Sequence, residues 1–91
     1  MSKRLNVSFA GHGWEDYQWW QTNNKAGLKR VNKLINDTMR SPFRGIGEPE
    51  PLSGELSGYY SRRINKKDRI VYRVFADRIE IIQLRFHYSD H

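Results

Sequence analysis

Residues 58–88 read GYYSRRINKKDRIVYRVFADRIEIIQLRFHY, and this stretch decides the fold. Three strand-like runs, Gly58 to Ile64, Arg69 to Phe75 and Arg78 to Tyr88, are separated only by Asn65-Lys66-Lys67-Asp68 and by Ala76-Asp77. Separators this short join antiparallel neighbours, so the segment predicts consecutive hairpins. Side chains alternate between the two faces of a strand. In the first run Tyr60 and Ile64 suit a core, which turns Ser61 and Arg63 outward. In the second, Ile70, Tyr72 and Val74 form the core set, opposed by Arg69, Val71, Arg73 and Phe75. In the third, Ile82, Leu84 and Phe86 point inward and Gln83, Arg85 and His87 outward. The open face therefore gathers Arg63, Arg69, Arg73, Arg85 and His87. A one-residue slip would bury these groups, which selects this phase over the other.

Upstream, Leu5-Asn6-Val7-Ser8-Phe9 alternates apolar and polar residues and reads as a half-buried strand ended by Gly11-His12-Gly13. Trp14, Tyr17 and Trp20 fall at helical spacing, and Glu15 and Asp16 suit the positive end of a helix dipole, which predicts a short helix over Trp14–Thr22. Asn23-Asn24 ends it and caps a second helix, whose Leu28, Val31, Leu34, Ile35, Thr38 and Met39 share one face. Lys25, Lys29 and Lys33 lie on another face, exposed to solvent. Ser41-Pro42 stops this helix, and Gly45, Gly47, Pro49 and Pro51 make the next segment a stiff, irregular loop. The order β-α-α-β-β-β describes an α+β fold, an antiparallel sheet with both helices on one face, as a single domain over residues 1–91.

A chain of 91 residues builds only a modest core, so a large internal cofactor site is not expected. Cysteine is absent, which removes disulfides, iron–sulfur clusters and thiol nucleophiles. No His, Asp or Glu cluster has metal-ligand spacing, and Gly45-Ile46-Gly47 lacks the pattern of a dinucleotide-binding loop. Neither a metal nor a cofactor is expected. The serines have no nucleophile-elbow context. No apolar run approaches the roughly 20 residues of a membrane span, and the start carries no export signal, so a cytoplasmic protein is the expectation.

Charge points outward. Sixteen Lys and Arg against ten Asp and Glu leave a net charge of +6, which favours polyanions and above all nucleic acid. Arginines around a histidine on a sheet face match phosphate oxygens in charge and geometry. They equally suit a solvated face whose arginines pair with Glu48, Glu50, Glu55 and Glu80. The residues alone leave both readings open. Tyr59, Tyr60, Trp19 and Trp20 are expected to pack in the interior.

The run from Arg40 to Leu52 (RSPFRGIGEPEPL), the Leu56-to-Ile64 segment (LSGYYSRRI), Arg69-Ile70-Val71-Tyr72 and the late His87-Tyr88 pair together resemble the YoeB toxin family of the RelE-like superfamily. The match begins at Trp14-Glu15-Asp16-Tyr17 and runs through nearly the whole chain. Ser89, Asp90 and His91 extend beyond a tyrosine that often closes the chain in relatives. The resemblance implies a ribosome-dependent mRNA endonuclease of a type II toxin–antitoxin system. It further implies a YefM-type antitoxin, the ribosome with its mRNA as partners, and a homodimer or a toxin–antitoxin hetero-oligomer. Carried over residue by residue, it makes Glu50, Arg69, His87, Tyr88 and Arg63 the catalytic set, with Arg62, Arg73 and Arg85 added here as further phosphate-binding groups.

The chemistry so implied is metal-independent: the ribose 2′-hydroxyl attacks the adjacent phosphate while the 5′-oxygen leaves. It needs a base, an acid and a charge stabiliser. Glu50 is the candidate base, stiffened by Pro49 and Pro51 on either side. His87 is the candidate acid, because free imidazole titrates near about 6.5. Arg69 and Arg63 face the phosphate, and Tyr88 stacks on a base or binds the phosphate. Two alternatives belong to other classes: a same-fold toxin that inhibits DNA gyrase, and a non-catalytic module that binds the ribosome or RNA.

Overall fold

The computed structural model describes residues 4–86. Its elements are β1 (Asn6–Phe9), α1 (Gly13–Asn23), α2 (Lys25–Arg40), β2 (Glu50–Pro51), β3 (Tyr60–Arg63), β4 (Arg69–Val74) and β5 (Arg78–Gln83), with a single 3-10 turn at Gly54–Leu56 between β2 and β3. Both helices form where the periodicity places them. The Asn24 side chain accepts the Gly27 amide proton at 2.8 Å and starts α2, so a single residue separates the two helices.

The five strands run in the order β1-β5-β4-β3-β2. The sheet is mixed, because β1 pairs with β5 in parallel while the other pairings are antiparallel. The expectation of a wholly antiparallel sheet is corrected at this edge: β1 and β5 are neighbours in the sheet but are joined through both helices and three further strands, not by a tight turn that would force them antiparallel. Glu50–Pro51 also departs from the expected irregular loop by pairing as a short edge strand with Tyr60 and Ser61.

Trp20, Val31, Leu34 and Ile35 from the helices pack on Ile64, Ile70, Tyr72, Ile79, Ile81 and Leu84 from the sheet side. The last strand deviates from simple alternation. Val71 pairs with Gln83 but Tyr72 pairs with Ile81, so Ile82 is an extra, bulged residue. The bulge lets Ile79 and Ile81 face the helices while Gln83 joins the opposite face, and it replaces the expected core position of Ile82 by Ile81. The strand then ends at Gln83, well short of the expected Tyr88. Leu84 is held by α1 on both sides: its N–H donates to Asp16 at 2.9 Å and its carbonyl accepts from the Trp20 indole at 2.9 Å. Asp16, in the first turn of α1 as expected, is also a buried anchor.

Candidate nucleic-acid interface

The face away from the helices is set by strand register. Cross-strand partners point to the same side, so Glu50 on β2, Ser61 on β3, Val71 on β4 and Gln83 on β5 form one row across four strands. Ser61, Val71 and Gln83 are buried and form its floor, whereas Glu50 is exposed at its end. Arg63 and Arg69 are directly paired in the next row. Strand spacings of about 4.8 Å and a rise of about 3.3 Å per residue put the Glu50 backbone roughly 12 Å from that of Arg69, within reach of two facing side chains.

The loop leading to Glu50 is organised from below by Arg62. This residue was expected on the phosphate-binding surface, and that expectation is corrected. Arg62 pairs with Ile70 on the helix side of the sheet and is fully buried. Its guanidinium bonds the Asp37 carboxylate at 2.7 Å, the carbonyls of Ser41 at 2.6 Å, Arg44 at 3.0 Å and Ile46 at 3.1 Å, and the Tyr72 hydroxyl at 3.1 Å. Every one of these partners is needed, because an unpaired buried guanidinium would be prohibitively costly. Burial works against the Asp37 charge, but the Ile46 amide, the Arg62 guanidinium and the Arg40 charge outweigh it and hold the carboxyl below its ordinary 3.8. Burial pushes the Tyr72 hydroxyl above its ordinary 10.0 against the opposing pull of Arg62, so the phenol keeps its proton, which it donates to the Pro42 carbonyl at 2.7 Å.

The loop requires glycine at Gly45. Gly45 has φ +122°, and a Cβ there would lie 2.0 Å from the Asp37 carboxylate. Further along, the Arg63 amide donates to Gly47 at 2.7 Å and the Leu52 amide to Tyr59 at 2.9 Å, which lashes the loop to β3 on either side of Glu50.

Arg69 and Arg63 differ in how firmly they are held. The Arg69 Nη1 donates to the carbonyls of Asn65 at 2.9 Å, Asp68 at 3.2 Å and Lys66 at 3.4 Å, which fixes one nitrogen of the fork and leaves Nη2 without a hydrogen bond among the described residues. Arg63 makes only an exposed, long contact with Glu48 at 3.5 Å. That is the one pairing found, among the described residues, between the expected face arginines and the four glutamates that would have neutralised them.

His87 and Tyr88 lie outside the described residues, but the chain entering them does not. The Phe86 amide donates to the Asp68 carboxylate at 2.7 Å, and its carbonyl accepts from the Arg69 amide at 3.1 Å. Phe86 has φ +64° and Glu48 φ +51°, the two non-glycine residues with left-handed backbone among those described. Phe86 stands directly before His87 and Glu48 two residues before Glu50, and such strain persists only where surrounding structure holds it. Sequence reasoning missed Asp68 because its role depends on a partner 18 positions away.

Arg73 is exposed on the open face, as expected. Arg85 is not on it, which is a second correction. Because β5 stops at Gln83, Arg85 turns to α1, with its guanidinium 3.9 Å from the centre of the Trp19 ring, and lines a cleft with Glu15, Gln18 and Thr22. Tyr59, expected inside, takes the phase of Ser61 and Arg63, and Arg73 lies over its ring at 5.6 Å. No group of three metal-ligating side chains occurs among the described residues, and no helix there is long and apolar enough to cross a membrane.

The profile of YoeB-like toxins of bacterial type II toxin–antitoxin systems matches residues 9–88. The chain belongs to this YoeB toxin family. Toxin YoeB of Streptomyces coelicolor is 49% identical over 84 residues, which cover 92% of this chain and 100% of that relative. Among solved structures, the YoeB dimer of Staphylococcus aureus aligns with a TM-score of 0.85 at 42% identity, and YoeB in the YoeB–YefM complex of the same organism with 0.84 at 44%. Each alignment covers 94% of this chain and 100% of that one. Membership in the YoeB family makes this chain a toxin of a type II toxin–antitoxin system.

Proposed function

We propose that this toxin is a ribosome-dependent endoribonuclease that cleaves translated mRNA without a metal. The observation that carries the reading is the convergence of Glu50, Arg63 and Arg69 on one sheet face of a YoeB-family chain. Glu50 takes the proton of the ribose 2′-hydroxyl, and the 2′-oxygen forms its bond to phosphorus. Arg69 and Arg63 neutralise charge accumulating on the non-bridging oxygens. The bond from phosphorus to the 5′-oxygen breaks, and His87 protonates that leaving oxygen, giving a 2′,3′-cyclic phosphate and a 5′-hydroxyl. Tyr88 stacks on a base or binds the phosphate.

General acid–base catalysis supplies about 10²- to 10⁴-fold, and much of the remaining acceleration comes from orientation. An open sheet face cannot enclose a strand of RNA. The ribosome therefore supplies the alignment, holding the message bent for in-line attack. A YefM-type antitoxin silences the toxin by covering the open face or displacing Glu50, and toxin copies assemble as a dimer or with the antitoxin as a hetero-oligomer in the bacterial cytoplasm.

The test is to map the 5′ ends of a translated message after exposure to the toxin. Discrete new ends that depend on ribosomes and vanish with Glu50→Gln support the reading. Intact message combined with inhibited DNA supercoiling would replace it by gyrase inhibition, and intact message on toxin-bound ribosomes by a non-catalytic binder.

A further inference from the structure

Beyond the two adjacent rows that hold Glu50 and the Arg63–Arg69 pair, the open face carries a second cluster that the catalytic reading does not use. Tyr59, just before β3, and Arg73 on β4 lie two positions from Ser61 and Val71, and Phe75 and Arg78 follow at the turn into β5. The Arg73 guanidinium lies 5.6 Å from the Tyr59 ring centre and 5.2 Å from that of Phe75, and Arg78 lies 4.2 Å from Phe75 on the other arginine's partner ring. Cation and ring thus alternate: Tyr59, Arg73, Phe75, Arg78.

Arg73 is the informative member. Its cross-strand partner is Glu80, yet the two form no ion pair, and Arg73 has none with any described residue. It faces the Tyr59 and Phe75 rings and, among the described residues, makes no ion pair on an exposed face. Arg78 does pair with Asp77, at 3.1 Å, so the strip is not a bare cationic patch. Ring surface must contribute alongside charge, which is the combination that binds single-stranded nucleic acid: guanidinium groups track phosphates while bases stack on aromatic side chains and guanidinium planes. A duplex, whose bases are already stacked, gains only the charge.

We propose that the Tyr59–Arg73–Phe75–Arg78 strip is a subsite for single-stranded RNA, holding nucleotides that flank the linkage presented to Glu50 and Arg69. Arg73 lies four residue steps along β4 from Arg69, about 13 Å, so one strand of RNA reaches both. This rests on reading the open face as an RNA face, and binding is therefore measured apart from cleavage.

The experiment uses the full chain carrying Glu50→Gln and a short fluorescent single-stranded RNA, with affinity followed by anisotropy over a salt series. Arg73→Leu should weaken binding about 10-fold and lower the slope of log affinity against log salt by about 1. Phe75→Leu, which keeps an apolar side chain, should weaken binding several-fold with the salt slope unchanged. Lys29→Leu, exposed on α2, is the charge-matched control and should have a much smaller effect. A duplex of the same sequence should discriminate poorly between Phe75→Leu and the parent.

Equal losses for Arg73→Leu and Lys29→Leu would reduce the effect to net charge and overturn the subsite. Unchanged RNA binding with weakened binding of an acidic antitoxin segment would assign the strip to the antitoxin instead. Strip variants that lose RNA while Glu50→Gln still cleaves on ribosomes would sink the catalytic roles and leave the subsite standing.

Discussion

The Asp68 carboxylate accepts the backbone proton of Phe86 at 2.7 Å, joining the turn before β4 to the segment that leads into residue 87. Asp68 is buried, and its second oxygen accepts from the Asn65 side chain at 3.0 Å. The adjacent Arg69 amide holds the Phe86 carbonyl, so both backbone groups of Phe86 are anchored beside a candidate catalytic arginine. Asp68→Ala should remove this acceptor from the Phe86 amide and loosen the entry to His87. We expect cleavage on ribosomes to fall at least about tenfold with ribosome affinity unchanged. Equal cleavage by the variant would separate this tether from catalysis.

Removing the proposed base, Glu50, should cost rate without stability. Glu50 is exposed on a lashed loop, so Glu50→Gln should melt with the parent while cleavage falls by about 10² or more. A variant that cleaves normally would exclude Glu50 as the base.

For Arg69, charge and shape can be told apart. Arg69→Ala should lower cleavage by about 10²- to 10³-fold. Arg69→Lys should recover only part of this, because an ammonium restores the charge but not the planar fork. Full recovery by lysine would reduce the role of Arg69 to bulk electrostatics.

The buried Arg62 supports the loop rather than the RNA. Arg62→Met should destabilise the fold toward the low end of the about 3–5 kcal/mol typical of a broken buried pair, since Asp37 keeps partial contact with water. Urea unfolding measures this. A stable variant with selectively weakened RNA binding would return Arg62 to the binding surface. Gly45→Ala should also destabilise strongly, by forcing a methyl onto the Asp37 carboxylate at a left-handed φ, whereas Gly54→Ala, with open space around its Cβ position, should cost only about 1 kcal/mol of backbone strain.

Acid should act through Asp37. Its folded carboxyl titrates below the unfolded value of about 3.8, so between the two the unfolded chain binds more protons and stability rises with pH. The contribution is complete above the unfolded value and is lost as pH falls through the folded one. The stability gap between the parent and Asp37→Asn should therefore be widest near neutrality and narrow below about pH 4. A gap that does not change with pH would mean that the carboxylate charge contributes nothing to holding the loop.

Much of this architecture is local and was legible in the chain. Helical spacing of Val31, Leu34, Ile35 and Thr38, the Asn24 cap and the short separators each act within a few residues, where propensity and period decide. The same alternation that turns Arg63 outward already puts Arg62 in phase with Tyr60 and Ile64, and the structure follows the phase, not the charge. What depended on tertiary structure is non-local. The parallel pairing of β1 with β5 has no turn to announce it, the Ile82 bulge resets the phase of the last strand, and the ends of β5 and the aim of Arg85 follow from α1 capturing Leu84. Sequence alone determined which groups the protein owns and their order along each strand. Only packing decided which face and which neighbour each would meet, because a buried polar group takes whatever partner the fold brings within hydrogen-bond reach, however distant in the chain.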